Sequence, residues 1–343
     1  MNGSLKGGAI RGKHAETAKA VSHSCASYIT QLKQGVDEIS NQCDAPQTMK
    51  VGELGEDRLL NQLRLGKAVF AGTGDDCAIV EISGSKTYLV LKTDCVVEGV
   101  HFVRGTNASA VGWKAMMRPL SDFAAASGIP RFALITLIVP EQTEVAWVRG
   151  LYRGLHRAGN CFDVAIVGGE TSNTPGPIAI SVSVIGFVEK SRAASRRGGK
   201  TGDDLFVTGR LGGALKQKHL KFVARIAESR WLTKNFSIHA MMDLSDGLGA
   251  DLPRLARSSK VGFKIELENL PVRRGATIDD AISEGEDYEL LFAISPGERN
   301  RLERKWQQKF PKLPLTRIGS LNGKSTTANR KLARGYIHFQ QSD

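Results

Sequence analysis

The chain has 343 residues, 41% of them hydrophobic, and a formal net charge of +12 from 47 Lys and Arg against 35 Asp and Glu. A chain of this length buries a large core and is expected to form two domains. No stretch reaches the roughly 18 apolar residues of a membrane-spanning helix, and the N-terminus lacks the apolar block of a secretory signal, so a cytoplasmic protein with no membrane partner is expected.

Residues 1–48 are rich in Ser, Ala, Gly, Lys and Gln, with one short helical pattern near 28–39, and read as a disordered extension. Met49 stands directly before the first patterned stretch and is a candidate start. From residue 51 the pattern becomes compact α/β alternation. Strands are predicted at 87–91, 132–139 and 164–167 and over the alternating Ile178, Ile180, Val182 and Val184. Helices are predicted at 110–126, interrupted by Pro119, and at 144–158, stopped by Gly159. The basic segment 190–200, with Gly198, Gly199 and Gly202 marking flexible backbone, is read as the domain boundary. Beyond it the pattern predicts strands at 205–208, 263–267, 288–294, 317–318 and 336–339, and helical stretches at 215–230 and 248–258.

The five cysteines, Cys25, Cys43, Cys77, Cys95 and Cys161, form no Cys-x-x-Cys pair, which argues against a disulfide framework and against zinc. Three lie in apolar segments and read as small buried hydrophobes. The basic excess fits nucleic acid, an anionic surface or a small polyanionic substrate. Interleaved exposed aromatics are missing, which disfavours RNA. Lys190, Arg192, Arg196, Arg197 and Lys200 read either as a solvated loop or as phosphate contacts between domains.

Carboxylates collect at glycine turns and predicted strand ends. Asp75 and Asp76 follow Gly72 and Gly74, Asp94 closes an apolar run, Asp122 sits in a small-residue helix, and Glu170 follows Gly168 and Gly169. Singly, each reads as a turn or cap residue; as a set they suit a hard cation that takes oxygen ligands and bridges to phosphates. The string MMDLSDGLGADL places Asp243, Ser245 and Asp246 at a strand-to-helix junction, where a helix N-terminus can meet an anion, with an ordinary helix cap as the alternative. EGEDYELLF, from Glu284, sets four carboxylates before an apolar strand and reads either as a solvated strand edge or as a site for a cationic substrate part. No P-loop and no protein-kinase motif set is present.

Read in order, GDDCAIV from Gly74, KTDCVVEGVHF from Lys92, LSDFAAASGIP from Leu120, VGGET from Val167, SVSVIG from Ser181, GDDLFVTG from Gly202, MMDLSDGL from Met241 and GEDYELLF from Gly285 resemble the thiamine-monophosphate kinase family. That family is part of an ATP-binding superfamily with aminoimidazole ribonucleotide synthetase, selenophosphate synthetase and a hydrogenase maturation protein. The resemblance implies a two-domain α/β (α+β) fold: an ATP- and metal-binding α/β domain over 49–189 that dimerises through its sheet, and an α+β domain over 190–343. It implies magnesium ions at Asp75, Thr93, Asp94, Asp122, Glu170, Asp243 and Asp246, with Asp94, Asp122 and Asp246 catalytic. ATP contacts would come from Arg196, Ser245, Gly168 and Gly169, and thiamine monophosphate would meet His101, Glu286 and Tyr336. A carboxylate and an aromatic face suit the cationic thiazolium ring.

Several positions depart from the family pattern. Glu170 stands where Asp is frequent, Lys92 replaces a small hydroxyl residue beside a metal position, and Arg118-Pro119 replaces an asparagine-containing pair. VGGETSNTPG also resembles the synthetase branch. The expected reaction is magnesium-assisted transfer of the ATP γ-phosphoryl group to thiamine monophosphate by a homodimer. The competing readings are a synthetase of the same superfamily and a non-catalytic nucleotide- or RNA-binding relative.

Overall fold

A computed structural model describes residues 50–54, 59, 70–216 and 218–323. The expected extension 1–48, the candidate start Met49, Tyr336 and the strand at 336–339 lie outside the described residues. The chain divides into one unit of residues 1–65 and 338–343 and a second of residues 66–337. In the first, Val51–Leu54 forms a helical turn. Both described sheets lie in the second.

Its first sheet has the order β1-β2-β5-β3-β4, from β1 (Ala78–Glu81), β2 (Thr87–Val97), β3 (Ile129–Val139), β4 (Ala165–Asn173) and β5 (Ala179–Glu189). Neighbours are antiparallel except β3 and β4, which are parallel. Strand β5 alternates strictly, with Ile180, Val182 and Val184 fully buried. This buried face meets α1 (Ala108–Ala125), which also packs on α2 (Val145–Asn160) and on the second sheet. The two helices approach closely because a Cβ on Gly112 would come within 2.0 Å of the Leu151 carbonyl oxygen, and one on Gly154 within 2.1 Å of that of Ser109.

The second sheet has the order β7-β9-β6-β10-β8, all antiparallel, from β6 (Asp204–Thr208), β7 (Ile238–Asp243), β8 (Gly262–Ile265), β9 (Leu290–Ile294) and β10 (Leu315–Asn322). Its central strands β6 and β9 are buried on both faces. Phe206, Met241, Phe292 and Ile294 join the core under α1, α3 (Ile226–Asn235) and α6 (Arg299–Lys309). Leu205, Val207, Met242, Leu291 and Ala293 face the opposite core, under α4 (Leu248–Ser258) and α5 (Ile278–Ser283). Trp231, Trp306 and Phe310 interlock at ring separations of 4.7–5.8 Å, each pair adding about 0.5–1.5 kcal/mol beyond its buried area.

Several local expectations are corrected. Helix α1 runs unbroken through Pro119; 13 of its 18 residues are buried, and that packing offsets the lost backbone bond. Helix α2 continues past Gly159 to Asn160, because Gly159 serves a close approach, its Cβ direction ending 2.9 Å from the Val164 carbonyl oxygen. Strand β2 extends past 91 to Val97, since pairing with β5 from Thr87 to Val97 carries it through the charged Lys92 and Asp94. Asp94 therefore lies inside the strand. Gly168, Gly169 and Glu170 form no turn but lie within β4, where a Cβ on Gly169 would collide with the Ile135 carbonyl oxygen at 1.8 Å. The helical stretch expected over 215–230 breaks into 3-10 turns at Ala214–Lys216 and Lys218–Leu220 before α3. Cys77 is buried as expected, but Cys95 and Cys161 are exposed. Among the described residues no helix is long and apolar enough to cross a membrane.

Candidate active site

Three elements from both halves of the unit bring carboxylates together. Asp76 ends the glycine loop before β1, Asp122 sits on the buried face of α1, and Asp243 closes β7. All three are buried, and each offers an oxygen within 4.8 Å of the others. Ser121 Oγ donates to Asp243 Oδ2 at 2.6 Å, while Asp243 Oδ1 is buried with no hydrogen-bond partner. Burial, with the Asp94, Asp243 and Asp76 charges, holds the Asp122 carboxyl well above the usual range. Burial and the Asp76 charge push Asp243 up to about 7. Oxygen-only donors that repel one another, one of them an orphaned buried acceptor, fit a hard divalent cation such as magnesium.

Protein cations already surround part of this set. Lys92 Nζ lies 3.1 Å from Asp122 Oδ1 and 3.7 Å from Asp94 Oδ1. Burial would raise the Asp94 carboxyl, but Lys92 and Arg118 hold it below its ordinary value. Arg118 Nη1 donates to the Cys95 carbonyl at 3.1 Å, and its Nε is buried without a partner. Arg196 donates through Nε and Nη2 to Asp76, and its backbone N–H donates to Asp75 Oδ1 at 2.7 Å. Arg197 reaches Asp75 Oδ2 at 3.2 Å with its side chain 55% exposed. Of the basic segment, Arg196 and Arg197 are thus tied to the glycine loop, while Lys190 pairs with Glu81 and Arg192 with Glu189.

A second polar cluster lies beside the first. Lys114, buried in the middle of α1, donates to Glu286 Oε2 and to the His101 carbonyl, both at 2.6 Å, and lies 2.9 Å from His219 Nδ1. Burial alone would raise Glu286, but His219 and Lys114 draw its carboxyl down to about 2. The same burial lowers Lys114 to about 8, against the opposing pull of Glu286. The ring of His101 accepts from the Val97 backbone N–H through Nδ1 at 3.1 Å.

The structure sorts the sequence-predicted residues. Asp122 and Asp243 converge, with Asp94 joined to them through Lys92. Asp75 stays outside the triad, bound to the Arg196 backbone and to Arg197; its neighbour Asp76 takes that place. Thr93 faces away from Asp94, because alternate residues of a strand point to opposite faces, and it bonds the Ser181 and Ser183 hydroxyls at 3.2 and 3.0 Å. Glu170 is exposed on edge strand β4, three strands from β2 and so about 14 Å away, along with Gly168 and Gly169. Asp246 pairs with Arg254, and its backbone N–H binds Asp251 Oδ2 at 3.0 Å, beside Ser245 in the turn between β7 and α4. Asp76 belongs to the carboxylate set read from the sequence but not to the ligands the resemblance implies, and Lys114 and His219 gave no signal in the sequence.

The carboxylates of EGEDYELLF are no solvated edge. Arg225 binds Glu289 with two bonds of 2.7 and 2.8 Å, and Lys218 and Thr208 add bonds of 2.9 Å each. Asp287 accepts from the Gly212 N–H at 2.8 Å.

Comparison with known proteins agrees with this architecture. The model for the AIR synthase related protein N-terminal domain matches residues 74–188, and that for the C-terminal domain matches 180–323. The thiamine-monophosphate kinase of Aquifex aeolicus (strain VF5) is 36% identical over 326 residues, 85% of this chain and 100% of the relative. The chain belongs to the thiamine-monophosphate kinase family. Its relative from Rhodopirellula baltica is 33% identical over 296 residues, 79% of this chain and 92% of that kinase. Among solved members of the family, the structure of AaThiL complexed with AMPPCP and TMP has a TM-score of 0.72 at 33% identity, covering 85% of this chain and 100% of that one. Both polar clusters lie inside the span that the two domain models match.

Proposed function

We propose that this chain transfers the γ-phosphoryl group of ATP to thiamine monophosphate, giving thiamine diphosphate and ADP. The observation that carries the reading is the buried meeting of Asp76, Asp122 and Asp243, with Asp243 Oδ1 lacking a donor. The identity with the Aquifex aeolicus kinase and the likeness to AaThiL with AMPPCP and TMP support the choice of substrates.

In the reaction an ionised oxygen of the acceptor phosphate forms a bond to the γ-phosphorus while the bond to the β-phosphate bridging oxygen breaks, and ADP leaves. No proton has to be removed from the acceptor, so a strong general base is unnecessary. The obstacle is repulsion between two polyanions. Asp76, Asp122 and Asp243 would hold magnesium, which when bound screens the phosphate charges and draws the reacting groups together. Ser121 orients Asp243 through its short hydrogen bond. Asp94, paired to Lys92, completes the acidic wall. Arg197, the more exposed of the two loop arginines, is the better placed phosphate contact, since Arg196 is committed to Asp76 and Gly74. Ser245 and Asp246 stand ahead of α4, whose N-terminus favours an anion.

Glu286 is the group suited to the thiazolium cation, and Lys114 fixes both that carboxylate and the His101 backbone. The first sheet leaves Phe132, Leu134 and Val167 exposed on the face away from α1, an apolar surface suited to a second copy, so the active form in this reading is a homodimer. Incubating the protein with ATP, magnesium and thiamine monophosphate should yield thiamine diphosphate and ADP in equal amounts. ATP turnover without thiamine diphosphate would refute the reading.

A further inference from the structure

The carboxylate set is not uniform in its counter-charges. Four acids gather here, and the ion pairs divide them: Asp76 has Arg196, Asp94 and Asp122 share Lys92, and Asp243 has no Lys or Arg within ion-pair distance among the described residues. Asp122 therefore looks two ways. One side faces Lys92 and Asp94, and the other faces Asp76 and Asp243.

Lys92 is placed by the fold rather than by chance of a surface rotamer. It lies two residues before Asp94 on β2, hence on the same face, and full pairing of β2 with β5 fixes that register. Its side chain is 22% exposed, so it is largely enclosed by the acids it touches. A magnesium ion binds carboxylate oxygens at about 2.0–2.1 Å in a near-ideal octahedron. An ammonium at 3.1 Å from Asp122 Oδ1 and 3.7 Å from Asp94 Oδ1 fills the space such an ion would need. It also supplies part of the same charge. Unlike a metal ion, it cannot be chelated or exchanged.

We propose that Lys92 is a resident cation standing where a divalent ion would otherwise bridge Asp94 and Asp122, so that exchangeable metal enters only on the Asp76–Asp122–Asp243 side. This rests on the reading above that the carboxylates hold magnesium. It gives the site one divalent ion fewer than the same carboxylates would take without the lysine, and makes Lys92 a positioning residue for Asp94 and Asp122.

The direct test counts metal. Wild-type protein, Lys92→Ser and Lys92→Arg are each saturated with AMPPCP and titrated with Mn2+, the free ion being followed by its electron paramagnetic resonance signal. The expected result is one more bound Mn2+ per chain in Lys92→Ser than in wild type, with Lys92→Arg unchanged. Equal non-zero numbers in wild type and Lys92→Ser overturn the lysine-for-metal assignment and leave the metal-dependent kinase standing. No bound Mn2+ in either chain, beyond that held by the nucleotide alone, overturns the magnesium reading and this proposal with it.

Thermal unfolding keeps the test open if Lys92→Ser folds poorly, because removing the ammonium leaves two facing carboxylates uncompensated. In chelator the variant should melt below wild type, and saturating Mn2+ should raise its midpoint by more than it raises that of wild type. An equal or smaller Mn2+ shift in the variant counts against the proposal.

Discussion

The two acidic clusters differ in how completely their charges are answered. Around Glu289 and Asp287, every carboxylate meets arginine, lysine, a hydroxyl or a backbone N–H at hydrogen-bond distance, and these acids fasten β9 to β6 and to the turns beside it. Around Asp76, Asp122 and Asp243, three buried carboxylates face one another and one oxygen has no donor. EGEDYELLF carries four carboxylates in nine residues, whereas LSDFAAASGIP, which supplies Asp122, carries one in eleven, so the density of Asp and Glu does not separate structure from function. What does is an orphaned carboxylate oxygen set among like charges, because such a buried group calls for a cation or a proton to complete it.

The contrast can be broken most severely at the triad. Asp243→Asn should lower thiamine diphosphate formation on the order of 10³-fold, through loss of several kcal/mol of charge stabilisation, while leaving the unfolding temperature in chelator unchanged or raised because a like charge is gone. Steady-state kinetics and calorimetry on one preparation would check both halves. Glu289→Gln should do the opposite. Arg225 and Lys218 would lose a buried partner, at about 3–5 kcal/mol of stability in urea unfolding, and the fraction still folded should turn over normally.

A smaller effect is expected at Glu286, and it depends on pH. Its carboxyl is drawn below the ordinary 4.5 to about 2, so the folded state binds fewer protons than the unfolded state between those values. Its contribution is present in full above pH 4.5 and disappears as pH falls through about 2. Glu286→Gln should therefore cost on the order of 3 kcal/mol at pH 7 and almost nothing near pH 2, measured as the gap between wild-type and variant unfolding curves. An equal gap at both pH values would show that Lys114 and His219 do not stabilise the ionised form. The smallest change is expected at Asp75→Asn, less than about 10-fold in turnover, with Asp76→Asn far more damaging. Equal losses at the two would contradict the assignment of Asp76, rather than Asp75, to the triad.

Much of the strand and helix order was legible, because apolar periodicity carries it: the alternation from Ile180 to Val184 is the alternation of buried residues in β5, and the helix expected at 248–258 forms over Leu248–Ser258. The finer geometry of the site was less so. Asp75 and Asp76 are adjacent and chemically alike, and only the Arg196 and Arg197 contacts from across the chain separate them. Thr93 could have been placed by the two-residue strand period, but the charges of Lys92 and Asp94 hid how far β2 extends. The pair Gly168-Gly169 imitated a turn because glycine is uncommon inside strands; here it allows close approach to β3 where the register shifts. Lys114 gave no local signal at all, since a lysine on a helix ordinarily faces water, and the Glu286 carboxylate that holds it buried lies 172 residues away in sequence.

Anomalous diffraction from a crystal soaked in Mn2+ and AMPPCP shows whether Asp76, Asp122 and Asp243 together receive a divalent cation. The expected map has a peak bonded to oxygens of all three carboxylates, with Lys92 Nζ still between Asp94 and Asp122. A map with Mn2+ only at the nucleotide, or held by other acids while these three stay uncoordinated, would contradict it.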